Sequence, residues 1–147
     1  MSFSSEVRKE LTELTGDARH CMIAEIGGFL LIAGKIECEK GKFSIQIQIE
    51  NEAIARKYFT MIKKAFNINT EVLLIAHKNK NRKTYLLKIN NPEDAKKILL
   101  ATTLLKYEHN VPILRNHMDY TMVQSICCKR AYLRGSFLGG GSVSDPE

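Results

Sequence analysis

Between Val72 and Pro92 the sequence carries no carboxylate, yet it holds His77, Lys78, Lys80, Arg82, Lys83 and Lys88. Cations gathered without acids between them suit a phosphate-rich partner such as DNA, because each neutralised phosphate releases condensed counterions. A solvated hairpin tip, whose lysines keep a sheet edge from pairing with other chains, accounts for the same stretch equally well. A second polar group stands upstream in Lys42-Phe43-Ser44-Ile45-Gln46-Ile47-Gln48-Ile49, where Lys42, Ser44, Gln46 and Gln48 alternate with apolar residues. Amides and a lysine on one face are able to read base edges in a groove. Polar residues also line any half-exposed sheet, which is the commoner reason for the pattern. The DNA-binding candidates are therefore Lys42, Gln46, Gln48, Lys78, Lys80, Arg82, Lys83 and Lys88.

Other chemistry finds little support. The four cysteines include the adjacent pair Cys127 and Cys128 and no CxxC. That spacing does not suit a disulfide framework or a zinc ribbon, and it points to reduced thiols in a cytoplasmic protein. A metal site from His20, Cys21 and Cys128 is the weaker reading beside cysteine as a small buried residue, so neither a metal nor a cofactor is expected. No Ser-His-Asp or Cys-His spacing stands out. Gly27-Gly28 and Gly139-Gly140-Gly141 are not followed by the Gly-Lys-Ser/Thr of a phosphate loop.

The elements that must position these groups follow from patterning. At 147 residues the chain has room for one domain with a real core. Glu25 divides the longest apolar run, so no membrane span is expected. The opening MSFSSEVRKELTEL is amphipathic rather than a secretion signal. Net charge is +6, and the excess of bases falls after Asn51. Ser4 and Ser5 are N-caps for a first helix with Phe3, Val7, Leu11 and Leu14 on one side. Thr15-Gly16-Asp17 ends it, and Asp17 caps a glycine-rich helix that stops at Gly34 in a left-handed turn.

A hairpin follows, from Lys35–Cys38 through Glu39-Lys40-Gly41 to Lys42–Ile49. Asn51 caps a helix to about Phe66, with Ile54, Tyr58, Met61, Ile62 and Ala65 inward and Arg56, Lys57, Lys63 and Lys64 mostly outward. Thr70–Lys78 and Arg82–Ile89 make a second hairpin. Asn91-Pro92-Glu93 starts a helix carrying Ala95, Ile98, Leu99 and Leu100 towards Thr103. Leu104 to Met118 reads as a connection, and another helix begins near Asp119.

Residues Met22 to Ile36 organise the rest. Small residues at helical spacing, among them Ala24 and Gly28, flatten one side of that helix and let a second backbone come close. The pattern returns near the other end of the chain. At one fixed offset Cys21, Ala24, Gly28, Leu31 and Gly34 meet Cys128, Ala131, Gly135, Leu138 and Gly141. Two such helices suggest a pseudo-symmetric pair, with Ala24, Gly27, Gly28, Leu31, Ala131, Gly135, Leu138 and Gly139 at the repeat interface.

The αββαββα order, with Ile26-Gly27-Gly28-Phe29-Leu30-Leu31-Ile32-Ala33-Gly34, resembles the LAGLIDADG homing-endonuclease fold. More closely, Ser2–Val7, Ile45–Arg56 and above all Cys127–Glu147 resemble the WhiA family of bacterial sporulation regulators. The expected fold class is α+β: a LAGLIDADG homing-endonuclease-like αββαββα repeat with an extra N-terminal helix and the first helix of a second repeat. The expected organisation is a first repeat at about 18–103, a linker at about 104–118 and the start of a second repeat at about 119–147. The family's C-terminal helix-turn-helix is expected to be absent from this sequence, which resembles an N-terminal fragment or a truncated gene product of that family.

The resemblance implies a transcription regulator that binds DNA, is linked to sporulation, cell division and chromosome segregation, and is cytoplasmic at the nucleoid. Nucleases of this fold place a metal-holding acid beside the last glycine of each motif. Here those positions are Ala33 and Gly140, and neither can hold a metal. Glu37 and Asp145 fall beyond the motif helices. The expectation is therefore a scaffold without catalysis, whose DNA binding is weak and salt-sensitive. The alternatives are a protein-interaction or self-association module and, least favoured, an active endonuclease.

Overall fold

The computed structural model describes residues 6, 7, 10–12, 18–68, 72–79, 82–117 and 119–140, and for residues 72–79, 82 and 83 the backbone alone. Helical residues 6, 7 and 10–12 come first, and Leu11 packs on the core. The expected caps Ser4, Ser5 and Asp17 lie outside the described residues, as do Phe3, Leu14 and the Thr15-Gly16 break.

The glycine-rich helix α1 spans Arg19–Ala33. Ala18 occupies its N-cap without a side-chain cap bond. Its end also differs from the sequence expectation. Gly34 has φ −76° and ψ 137°, so it is extended rather than left-handed, and it is already the first residue of strand β1, Gly34–Glu39. Its N–H still donates to the Leu30 carbonyl. A Cβ at Gly34 would come within 2.6 Å of that carbonyl oxygen, so glycine is needed for closeness and not for handedness.

β1 pairs with β2, Lys42–Ile49, across a two-residue turn in which Lys40 and Gly41 have φ 53° and 76°. Positive φ at both turn positions matches the right-handed twist of the strands. Helix α2, Glu52–Phe66, starts where Asn51 Oδ1 accepts the Ile54 N–H. Strands β3, Val72–Asn79, and β4, Arg82–Ile89, form the second hairpin. Helix α3, Pro92–Ala101, opens with Asn91 Oδ1 accepting from Glu93 and Asp94 N–H. It buries Ala95, Ile98 and Leu99 but leaves Leu100 exposed, because residue 100 sits about 200° round the helix from Ile98, on the side away from the core.

The four strands lie in the order β1-β2-β4-β3, all antiparallel. Alternation sends Phe43, Ile45, Ile47, Leu87 and Ile89 to one face, where they meet Ile54, Tyr58, Ile62, Phe66, Ile98 and Leu99 of the helices. Each such side chain contributes roughly 1.5–3 kcal/mol on full burial. The opposite face is left open. Thus one continuous core fixes the sheet beneath α1, α2 and α3.

The segment 104–118, read as a connection, is a third hairpin: β5, Leu105–Glu108, and β6, Val111–Leu114. His109 and Asn110 turn it, both with positive φ. Pro112 stands in β6, which pairs with β5 alone, so the missing N–H interrupts no second ladder. After it Asp119 accepts from the Thr121 N–H and hydroxyl and meets Arg115, contacts that hold its carboxyl down at about 2. It thereby caps a 3-10 turn, Tyr120–Val123, ahead of helix α4, Ile126–Gly140.

Candidate nucleic-acid interface

Helices α1 and α4 pack along much of their length, and glycines set how closely. A Cβ on Gly28 would fall well inside van der Waals contact of the Tyr132 carbonyl oxygen, and one on Gly135 equally inside that of Glu25. Ala24 and Ala131 are buried beside Cys21 in the same seam. Leu138 joins the main core, with Leu31 partly buried against it. Gly139 lies over Phe29 and Ile32 of α1. Gly27 faces elsewhere: its nearest neighbours are the Met122 methyl and Thr102, so it serves the packing of α3 and the 3-10 turn rather than the helix pair.

At the C-terminal end of the seam stand the positions that hold acids in nucleases of this fold. A Cβ at Gly139 would be 3.5 Å from the Ala33 methyl, and one at Gly140 would be 2.8 Å from Ile32 Cγ2. The end is lined by methyl groups and backbone. Glu37 is exposed on β1, 3.6 Å from Lys35, and Asp145 lies outside the described residues.

Among the described residues the one buried carboxylate is Glu25, and it is saturated. Oε2 lies 2.7 Å from Lys57 Nζ and accepts the Tyr58 hydroxyl at 2.9 Å; Oε1 accepts Arg134 Nε–H at 2.6 Å. Lys57, expected to point outward, is drawn in because an ionised carboxylate in an apolar helix requires cations. Burial lowers the Lys57 ammonium's pKa, against the pull of Glu25, and burial with the nearby carboxylate raises Tyr58 well above its ordinary value. The Tyr58 ring stacks on Phe29 at 3.7 Å. The network ties α1, α2 and α4 together and neutralises the Glu25 charge with two cations.

At the other end, where α1 and α4 begin, His20 Nδ1 stands 3.3 Å from Cys128 Sγ. Cys127, absent from the residues weighed as ligands, is there as well.

Of the remaining candidates, Lys42, Gln46, Gln48 and Lys88 lie on the sheet face opposite the core, whereas Lys78 and Lys83 stand at register positions of the other parity, shared with buried Tyr85 and Leu87. Lys42 and Gln48 are exposed, while Gln46 and Lys88 are half-buried and directly opposite one another in the β2–β4 register. In the β3–β4 hairpin Lys78 pairs with Lys83 and Asn79 with Arg82; Lys80 lies outside the described residues. The register also shows what β1 adds. Glu39 is opposite Lys42, Glu37 opposite Ser44 and Lys35 opposite Gln46. Two carboxylates therefore share the face at its β1 edge, while Lys42 and Lys88 stand on it along β2 and β4.

Residues 19–105 match the family described as the WhiA N-terminal LAGLIDADG-like domain, and residues 129–147 match the WhiA LAGLIDADG-like domain. The chain belongs to the WhiA family. Among WhiA proteins it is 44% identical to the probable cell division protein WhiA of Lachnoclostridium phytofermentans, over 100% of this chain and 47% of that one. It is 37% identical to the protein of the same name from Bacillus cytotoxicus, over 100% and 45%. The chain thus spans about half the length of the curated WhiA relatives it matches. The fold agrees with full-length DUF199/WhiA from Thermatoga maritima, with a TM-score of 0.63 at 19% identity over 99% of this chain and 42% of that one. It also agrees with the N-terminal LAGLIDADG domain of DUF199/WhiA, with a TM-score of 0.59 at 16% identity over 97% and 60%.

Proposed function

We propose that this chain is the DNA-holding, non-catalytic LAGLIDADG part of a WhiA-type transcription regulator, serving cell division, chromosome segregation and sporulation at the nucleoid. The observation that carries the reading is the end of the helix seam, where Ala33 lies against Gly139 and Gly140 against Ile32, while metal chemistry would need two acids there. The seam keeps its architecture and lacks its reagents. What is left for function is the sheet face opposite the core, where Lys42 and Lys88 stand beside Gln46 and Gln48.

The DNA contact is electrostatic, through Lys42, Lys88 and the β3–β4 hairpin, with Gln46 and Gln48 available to base edges. Replacing Lys80, Arg82 and Lys83 together by alanine should weaken duplex binding in a fluorescence-anisotropy titration. It should also reduce the slope of log affinity against log salt by up to about 3. Replacing the exposed α2 residues Arg56 and Lys64 should change both much less. Lys57 is unsuited to that control because it belongs to the Glu25 network. Magnesium-dependent cleavage of duplex DNA that disappears on Glu37→Ala would overturn the reading.

A second reading, self-association, is favoured by the apolar residues left uncovered on the 3-10 turn and α4: Tyr120 is 82% exposed, Leu133 68% and Ile126 67%. Large exposed apolar surface of this kind marks interaction sites. Light scattering on the purified chain distinguishes the two, since the DNA-holding reading needs no dimer.

A further inference from the structure

The first turns of α1 and α4 bring together His20 Nδ1, Cys21 Sγ, Cys127 Sγ and Cys128 Sγ, all within 4.8 Å of one another. His20 Nδ1 is 3.3 Å from Cys128 Sγ and 3.6 Å from Cys21 Sγ. Tetrahedral zinc, with Zn–S about 2.3 Å and Zn–N about 2.0–2.1 Å, sets its ligand atoms roughly 3.5–3.8 Å apart. The widest spacing has to close by about an ångström, which rotation of the exposed His20 and Cys127 side chains towards buried Cys21 supplies. We propose that His20, Cys21, Cys127 and Cys128 form a structural zinc site that clamps the N-terminal ends of the two motif helices.

The ligand set selects the ion. Three thiols and an imidazole suit zinc and do not suit magnesium or calcium, which take oxygen. Four protein ligands leave no open coordination position, so the site holds structure and does not activate water. The same offset that superposes Ala24 on Ala131 and Gly28 on Gly135 carries His20 onto Cys127 and Cys21 onto Cys128. Each helix therefore contributes an adjacent pair at the same place in its first turn, as a site on the pseudo-two-fold axis requires.

Two helix N-termini converge there, and their positive ends attract thiolates, against the burial that pushes the Cys21 thiol up to about 11. Three thiolates exceed the charge of one divalent ion, and the helix ends offset the excess. Ser125 Oγ accepts the Cys128 N–H at 3.3 Å and stands 3.2 Å from Cys127 Sγ, so its proton is free to be donated to that sulfur. The site is also distinct from the positions that hold metal in nucleases of this fold. Those lie at the other end of the seam, twelve residues along α1, about 18 Å away.

The test is the zinc content of the purified full chain, prepared under reducing conditions and dialysed without chelator. One equivalent per chain is expected, and a strong chelator should lower the thermal midpoint by about 10 °C or more, because metal that binds only the folded state stabilises it. Cobalt in place of zinc should give the visible bands of a tetrahedral ion and thiolate-to-cobalt charge transfer. Cys127→Ser with Cys128→Ser should abolish both signals, whereas Cys38→Ser, at the exposed end of β1, should leave them intact. Should the double variant fail to fold, the chelator and cobalt experiments on the parent chain still decide. Negligible zinc with a chelator-insensitive midpoint, a disulfide among these cysteines, or loss of metal in Cys38→Ser would each overturn the proposal.

Discussion

Gly28→Ala and Gly135→Ala should each destabilise the chain by about 3 kcal/mol or more in urea unfolding, whereas Gly27→Ala, one residue away, should change it by less than about 1 kcal/mol. Helix propensity alone predicts the reverse for all three, since alanine is favoured over glycine inside a helix by about 0.8–1 kcal/mol. The difference lies in what the new methyl meets. At Gly28 and Gly135 it meets backbone carbonyls of the facing helix, and those yield only if α1 and α4 separate. At Gly27 it meets the end of the flexible Met122 side chain at 3.3 Å. Separating the helices would also pull Glu25 from Arg134. Equal effects at Gly27 and Gly28 would show that the seam is looser than this packing requires.

Glu25→Ala should cost about 3–5 kcal/mol, because it leaves the Lys57 ammonium, the Arg134 guanidinium and the Tyr58 hydroxyl without their shared acceptor. Set against a total stability of about 5–15 kcal/mol for an ordinary domain, that leaves a chain partly unfolded near body temperature. The paired change Glu25→Met with Lys57→Met should recover much of the loss, since a buried ion pair replaced by apolar groups of similar volume is often neutral. Arg134→Ala alone should fall between them, because half-buried Arg134 leaves Glu25 with Lys57 and Tyr58. Far-ultraviolet circular dichroism across a urea series measures all three.

The helices, the first two hairpins and the helix pair were legible because their signals are local. Alternation in Lys42–Ile49, the caps Asn51 and Asn91, and small residues at helical spacing each act over a few residues. The third hairpin was not legible. Its β6 is exposed along its length and carries Pro112, so neither alternation nor burial marks it. His109-Asn110, both in left-handed conformations, was the usable sign.

The Glu25 network was half visible. A lone carboxylate dividing an apolar helix must find cations, but nothing local singles out Lys57 among the charged residues of α2. On the sheet face proposed to meet DNA, strand alternation placed Lys42, Gln46 and Gln48 together, but only the β1–β2 register reveals that Glu37 and Glu39 share that face. Of the thiol–imidazole cluster, His20, Cys21 and Cys128 were weighed and set aside, and Cys127 was missed because the ligands come in adjacent pairs far apart along the chain. Extending the repeat alignment by one position, from Cys21 and Cys128 to His20 and Cys127, was the signal that could have found it.

The proposed function requires a sheet face that holds DNA beside a helix pair that lacks the acids to cut it. A salt titration of labelled duplex DNA with the purified chain and magnesium, read by anisotropy and then on a denaturing gel, addresses both halves in one sample. Binding that weakens steeply between low and physiological salt, with every strand intact, is the predicted result. Affinity that is flat with salt, or strands cut in proportion to the protein added, would contradict it.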